Sequence, residues 1–298
     1  MSEFKFQPVI IIGAARSGTN MVRDLLTQIP RVATWPCDEI NYVWRYGNAS
    51  YPTDELRPKH VTPNIKHFIR NRFARLASKT GAHWIVEKTC ANSLRVDFVR
   101  EIVPEAKFVF LVRDGLDVAV SANKRWHAPL DLAYVLKKSL HVPMQEFPYY
   151  AARYLAHRVR RLATQEKRLP TWGPRFAGLD ESVQRDTNLQ TCFTQWNVCV
   201  ESAHNSLSSL PRSHVHFLRY EDFVAHPKRH LKAMCKDLGI SCKGGTLREL
   251  ASQVFESSVG TGRNHPELQA LETQTQTILH DLNVLWNPHE LSSCSRAA

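Results

Sequence analysis

The stretch PVIIIGAARSGTNMVRDLL, residues 8–26, joins an apolar run, a loop of small residues and an amphipathic segment. The run 9–12 has no polar face, which is typical of a central strand of a parallel sheet buried on both sides. Apolar residues recur at helical spacing from Met21 to Ile29. The loop and first helical turn leave backbone N–H groups unpaired, and such groups can bind an anion. The stretch therefore predicts a phosphate-binding turn between a strand and a helix.

The loop departs from the usual motif for nucleoside triphosphates. Gly13 and Gly18 have the Walker A spacing, but Thr19 and Asn20 follow where the motif requires Lys and then Ser or Thr. The cation available inside the loop is Arg16. This composition favours a different phosphate-like group, with an ordinary strand–turn–helix corner as the alternative for this segment.

The remaining apolar segments predict further strands that end in polar residues. These segments are 31–34, 83–86, 107–112 and 214–218. Helical segments alternate with them, including one from about 93 to 102, which predicts right-handed crossovers and a parallel sheet. We predict an α/β, P-loop-like, three-layer fold with four or five central parallel strands flanked by helices. One domain is expected over residues 1–298, with a largely helical insertion at about 126–186.

The amino-acid composition indicates which partners and which cellular location to expect. Lys and Arg number 39 against 28 Asp and Glu, a formal charge of +11 that favours nucleotides, sulfated or phosphorylated substrates, nucleic acid or an anionic surface. The seven cysteines include no C-x-x-C pair and suit neither a zinc site nor a disulfide framework, so we expect reduced thiols and no metal. No apolar run approaches the ~20 residues that a membrane span needs, and residues 1–7 lack a signal-peptide pattern. A cytoplasmic location is expected.

Four segments in a fixed order resemble motifs of the sulfotransferases that use 3′-phosphoadenosine-5′-phosphosulfate (PAPS). They are Ala15–Thr19 (ARSGT), Arg113–Ser121 (RDGLDVAVS), Arg219–Phe223 (RYEDF) and Gly262–Arg263. The resemblance covers roughly residues 8–40, 83–125 and 213–240 together with the late loop. It implies transfer of a sulfuryl group from PAPS to a hydroxyl acceptor, with release of 3′-phosphoadenosine-5′-phosphate (PAP) and without a metal.

The resemblance also implies how the nucleotide binds. The first motif would hold the 5′-phosphosulfate, Arg113 and Ser121 the 3′-phosphate, and Tyr220 would lie near the adenine. The late loop would close over the nucleotide. The predicted nucleotide-binding residues are Ala15, Arg16, Ser17, Gly18, Thr19, Asn20, Arg113, Ser121, Tyr220, Gly262 and Arg263.

Three residues are predicted to be catalytic. The resemblance implies that Lys88 is the cation at the bridging oxygen and that Glu39 is the base, while Arg16 would stabilise charge on the transferred group. Asp38 is the close rival for the base and His127 a distant one. Cys90 stands where the cytosolic small-molecule branch has a catalytic His, so the chain resembles the protein-tyrosine and carbohydrate sulfotransferases more closely.

Other functions stay open at this point. A basic nucleic-acid-binding protein would use the stretches 65–77 and 153–168. A P-loop nucleotide kinase is disfavoured by the missing Lys, and an inactive relative would keep only the nucleotide site. The insertion at 126–186 is the expected acceptor-recognition region, but it has no motif that separates carbohydrate, peptide tyrosine, lipid and small-molecule acceptors. The oligomeric state is equally open.

Overall fold

The centre of the protein is a parallel sheet of five strands in the order β2-β3-β1-β4-β5. The structure is a computed structural model and describes residues 6–127, 172–256 and 259–286. The strands are β1 (Gln7–Ile12), β2 (Val32–Ala33), β3 (Trp84–Lys88), β4 (Lys107–Val112) and β5 (Val215–Arg219). This arrangement confirms the predicted fold class and the predicted strand number.

The described helices lie on the two faces of this sheet. They are α1 (Thr19–Leu26), α2 (Asn41–Trp44), α3 (Pro63–Thr80), α4 (Val96–Ile102), α5 (Gly115–Trp126), α6 (Leu179–Arg185), α7 (Asn188–Leu207), α8 (Tyr220–Ala225), α9 (Pro227–Leu238), α10 (Gly244–Ala251) and α11 (Glu272–Trp286). Alternate strand residues face opposite layers, so Ile10 packs with α3, α4, α5 and α7, whereas Ile11 packs with α1, α9 and α10. The three-layer architecture follows from this alternation.

The continuous apolar run of β1 is explained by its neighbours. β1 pairs with β3 on one side and with β4 on the other, and Val9 to Ile12 are fully buried. A strand in this position has no face toward water, and a polar side chain there would lose its hydration.

One helix begins later than the sequence predicts. A helix is expected from about Ser93, but Cys90–Leu94 forms a short 3-10 helix and α4 begins only at Val96. Arg95 interrupts the helical backbone because its buried guanidinium turns inward, where it donates to Asn92 and forms an ion pair with Asp54 at 3.5 Å. This interruption keeps the segment after β3 close to the end of the strand.

The parallel arrangement brings the carboxyl ends of the strands to one edge of the sheet. The loops after β1, β3, β4 and β5 therefore all open at this edge, where α/β sheets bind their ligands. Most of the predicted insertion at 126–186 lies outside the described residues, as do its residues 149–167. The single-domain organisation and the role of the insertion stay predictions.

Candidate active site

The loop between β1 and α1 has the backbone of an anion site. Gly18 adopts φ 94°, and a Cβ at this position would lie 2.6 Å from the ring of Tyr220. The close approach of the ring and the positive φ both require glycine here. The Ser17 hydroxyl is fully buried and has no hydrogen-bond partner among the described residues. A buried donor next to the unpaired N–H groups at the start of α1 suits an incoming phosphate oxygen.

Lys88, Asp38 and Glu39 form a second feature of the site, here named the lysine cluster. The Lys88 ammonium lies 3.1 Å from Asp38 Oδ1 and 3.1 Å from Glu39 Oε1. The lysine side chain is 2% exposed, whereas those of Asp38 and Glu39 are 33% and 22% exposed. The carboxylates therefore face the solvent side of the cluster, where a substrate could approach them.

The charges in this cluster shift each other's protonation. Burial alone would lower the pKa of Lys88, but the carboxylate of Glu39, assisted by Asp38, outweighs burial and raises it. Burial opposes ionisation of Asp38, yet the charge of Lys88 and the contacts of Arg23 leave the pKa of Asp38 below its usual value. Lys88 is thus a firmly protonated cation, and Asp38 is a weak base.

Backbone contacts hold Glu39 next to Lys88. The backbone N–H of Cys90 donates to Glu39 Oε1 at 3.3 Å, and the N–H of Ile40 donates to the Thr89 hydroxyl at 3.3 Å. The same hydroxyl donates to Glu87 at 2.5 Å. The segment after α1 is therefore tied on both sides of Glu39 to the end of β3.

Glu87 is a third carboxylate at the end of β3, one residue before Lys88, and it interacts electrostatically with Glu39. It is 1% exposed and also accepts a hydrogen bond of 2.8 Å from Asn92. Burial raises the pKa of Glu87 to about 7, against the opposing hydrogen bond from Thr89. Glu87 therefore keeps its proton to a higher pH than an ordinary carboxyl group.

Arg16, Arg113 and Arg125 form the arginine cluster on the other side of the phosphate loop. Arg16 Nε donates to Ser121 Oγ at 3.0 Å, and Arg113 Nη1 donates to the Arg16 carbonyl at 3.3 Å. The Arg113 guanidinium also stacks over the Tyr220 ring, 4.5 Å from its centroid. Burial and the charges of Arg125 and Arg113 lower the pKa of Arg16. Positive charges thus lie close together here, an arrangement that an anion could bind.

The predicted residues thus come together in two groups. Arg16 contacts Ser121 and Arg113, and Arg113 stacks on the ring of Tyr220. Glu39, in the segment after β2, contacts Lys88 at the end of β3. Arg16 also interacts electrostatically with Asp38, a member of the lysine cluster.

The remaining predicted residues lie in the β1–α1 loop, in the first turn of α1 and at the end of α5. Ala15 and Thr19 are buried, Asn20 is exposed in the first turn of α1, and His127 is exposed at the end of α5 with Nε2 3.3 Å from the Asn188 amide. The roles assigned to all these residues stay predictions.

Sequence reasoning missed Asp117 and Arg125. Asp117 lies four residues after Arg113, and Arg125 lies four residues after Ser121. Both pairs have the spacing of neighbours on one helix face, which could have indicated them once α5 was predicted. The backbone N–H groups of Gly260 and Gly262 donate to the Asp117 carboxylate. No local sequence pattern signals that long-range contact.

The fold and the edge site together define an α/β protein whose β1–α1 loop has the backbone of an anion site. A family model described as the sulfotransferase family matches residues 8–172 and 174–243, which is most of the chain. The chain belongs to the sulfotransferase family.

Solved structures agree on the fold. The sulfotransferase domain from the curacin biosynthetic pathway is 15% identical, with 95% of this chain and 99% of that chain covered and a TM-score of 0.54. The sulfotransferase domain of the Synechococcus PCC 7002 olefin synthase is 13% identical over 95% and 96% of the two chains, with a TM-score of 0.53. A sulfotransferase from Alicyclobacillus acidocaldarius is 17% identical over 95% and 96%, with a TM-score of 0.51. No curated protein sequence matches this chain.

The family match favours a sulfotransferase over the nucleotide kinase and the nucleic-acid-binding protein that the sequence left open. The resemblance to the protein-tyrosine and carbohydrate branch stays a prediction. Within the described ranges, no helix is long and apolar enough to cross a membrane.

Proposed function

We propose that this protein transfers a sulfuryl group from PAPS to a hydroxyl acceptor and releases PAP. The observation that carries the proposal is the pairing of two unlike clusters at one sheet edge. The arginine cluster has excess positive charge, and the lysine cluster combines a buried cation with carboxylates that face solvent.

The residues present fit a nucleotide with phosphate groups at both the 5′ and 3′ positions. The buried Ser17 hydroxyl and the start of α1 would hold the 5′ end, and Arg113, Ser121 and Arg16 would hold the 3′-phosphate. The face of Tyr220, already stacked against Arg113, would border the adenine. When bound, PAPS supplies an activated sulfuryl group whose sulfur–oxygen bond to the 5′-phosphate breaks as sulfur bonds to the acceptor oxygen.

Lys88 and Glu39 divide the remaining chemistry. Lys88 is charged at every physiological pH and would offset the negative charge on the leaving phosphate oxygen. Glu39 would take the proton of the acceptor hydroxyl, because its carboxylate is held by Lys88 and by the backbone of Cys90 yet is partly exposed. Asp38 is the poorer base, since its pKa is lowered and Arg23 Nη1 also binds it at 3.0 Å.

The test compares nucleotides on the wild-type protein. In calorimetric titrations with PAP, AMP and ATP–magnesium in parallel, PAP should bind most tightly because it alone carries both phosphates. A panel of carbohydrate, tyrosyl-peptide, lipid and small phenolic acceptors incubated with sulfur-labelled PAPS should then reveal a labelled product. Equal binding of PAP and AMP, or ATP turnover that needs magnesium, would contradict the proposal. The cytoplasmic location stays a prediction that cell fractionation can test.

A further inference from the structure

Asp117, in the first turn of α5, contacts both a distant loop and Arg113. Its side chain is 1% exposed. Oδ2 accepts from the Gly260 N–H at 2.8 Å, and Oδ1 accepts from the Gly262 N–H at 2.7 Å and from the Thr261 hydroxyl at 3.2 Å. One buried carboxylate therefore binds three consecutive residues of a loop that is distant in sequence.

The loop packs directly against the backbone of α5. A Cβ on Gly262 would lie 2.2 Å from the carbonyl carbon of Leu116 and 2.5 Å from the Asp117 nitrogen. No side chain fits this space, so glycine permits the approach that brings the loop N–H groups within reach of Asp117. The close packing and the hydrogen bonds point to the same docked position.

Asp117 also connects this loop to the arginine cluster. Its Oδ2 lies 3.4 Å from Arg113 Nη2, so the carboxylate that binds the loop also pairs with the guanidinium predicted to bind the 3′-phosphate. Arg263 follows the docked glycine directly and is close enough to act electrostatically on Asp114. The late loop thus brings a further cation to the start of α5.

The charge of Asp117 is needed for this arrangement. A carboxylate offers two oxygens that both accept, which matches two N–H donors, a hydroxyl and a guanidinium. An amide of the same shape would present a donor on one side, opposite a donor of the loop or of Arg113. Hydrogen bonds to an ionised acceptor are also stronger than those between neutral groups.

We propose that Asp117 is a positioning residue that clasps residues 260–262 onto α5 and so sets the selectivity for a 3′-phosphorylated nucleotide. The clasp holds Arg263 beside the site of Arg113 and orients Arg113 itself. The selectivity role rests on the proposed function, whereas the clasp is a property of the ligand-free protein.

The test uses the full chain with Asp117→Asn, and Asp97→Asn as the matched control. Asp97 is a partly exposed carboxylate on α4 that pairs with Arg100 and accepts from Ser206, and it takes the same chemical change away from the site. In the ligand-free protein, hydrogen–deuterium exchange of peptides covering residues 259–264 should become about tenfold faster in Asp117→Asn and stay unchanged in Asp97→Asn. The ratio of PAP to AMP affinity should fall about tenfold in Asp117→Asn alone.

A second variant covers the case in which Asp117→Asn does not fold. Thr261→Val removes one hydroxyl from the clasp and leaves both glycine contacts, so it should shift exchange and selectivity in the same direction by a smaller factor.

Unchanged exchange in the folded variant would overturn the clasp. Faster exchange with an unchanged PAP-to-AMP ratio would overturn the selectivity role. A wild-type protein that binds the two nucleotides equally would overturn the proposed function and the selectivity role together, while the exchange result would still decide the clasp.

Discussion

The lysine cluster and the arginine cluster lie at the same sheet edge but balance their charges in opposite ways. In the lysine cluster, two carboxylates surround one ammonium, and Arg23 neutralises the excess. In the arginine cluster, Arg16 is repelled by Arg113 and Arg125, and Arg113 pairs with Asp117. A cluster with excess charge needs an anionic ligand, whereas a balanced cluster can hold or move a proton. We therefore propose that nucleotide binding and proton transfer take place in different halves of the site.

The largest effect on activity is expected for Lys88→Ala. We expect the turnover number to fall roughly 100- to 1,000-fold, because the cation for the leaving oxygen is lost, with little change in PAP affinity. Steady-state kinetics and calorimetry measure the two quantities. Lys66→Ala is the control, since Lys66 is a half-exposed lysine in an ordinary surface ion pair with Glu101. Normal turnover in Lys88→Ala would remove its proposed role.

Glu87→Gln should change how the free energy of unfolding depends on pH. Its folded pKa of about 7 lies above the ordinary value of 4.5, so Glu87 stabilises the fold at pH below 4.5 and loses that contribution as the pH rises through 7. The unfolding free energy of the wild type relative to the variant should therefore fall by about 3 kcal/mol between pH 4.5 and 8. Urea denaturation across this range measures it.

The control for that experiment is Glu105→Gln, a change at a half-exposed glutamate paired with Arg70. It should leave the pH profile of the wild type unaltered. Parallel profiles for the wild type and Glu87→Gln would mean that Glu87 is ionised normally despite its burial.

Glu39→Gln and Asp38→Asn separate the two carboxylates of the lysine cluster. Loss of a general base costs on the order of 100-fold in rate, which we expect for Glu39→Gln. Asp38→Asn should cost less than about tenfold, because the lowered pKa of Asp38 makes it a poor proton acceptor. Rate measurements over pH 5–9 on both variants decide the assignment. The reverse ranking would make Asp38 the base.

Arg113→Ala should weaken binding of the nucleotide by the arginine cluster. Removing a charge-assisted hydrogen bond should weaken PAP binding roughly 10- to 100-fold while AMP binding stays close to that of the wild type. Arg100→Ala, at a partly exposed arginine of α4, is the matched control. An equal loss of affinity for both nucleotides would show that Arg113 acts on the loop or the ring of Tyr220 rather than on the 3′-phosphate.

Much of the fold and part of the site could be predicted from local sequence. β1 and its loop follow from a run of β-branched residues before small ones, and β4 matches its predicted bounds at Lys107 and Val112. The break at Arg95 could not be predicted, since it depends on Asp54, which is distant in sequence. The contacts of Asp117 with residues 260–262 escape prediction for the same reason.

The strand–loop–helix unit follows from neighbouring residues, and the excess of cations and the order of the motifs follow from a simple reading along the chain. The hydrogen bond from Arg16 to Ser121 and the ion pair between Glu39 and Lys88 depend instead on how the chain packs. The first contact requires β1 to lie beside β4, and the second requires β2 to lie beside β3. This strand order sets which loops are adjacent at the edge. Strand order is a property of the packed sheet, in which distances no longer follow separation along the chain.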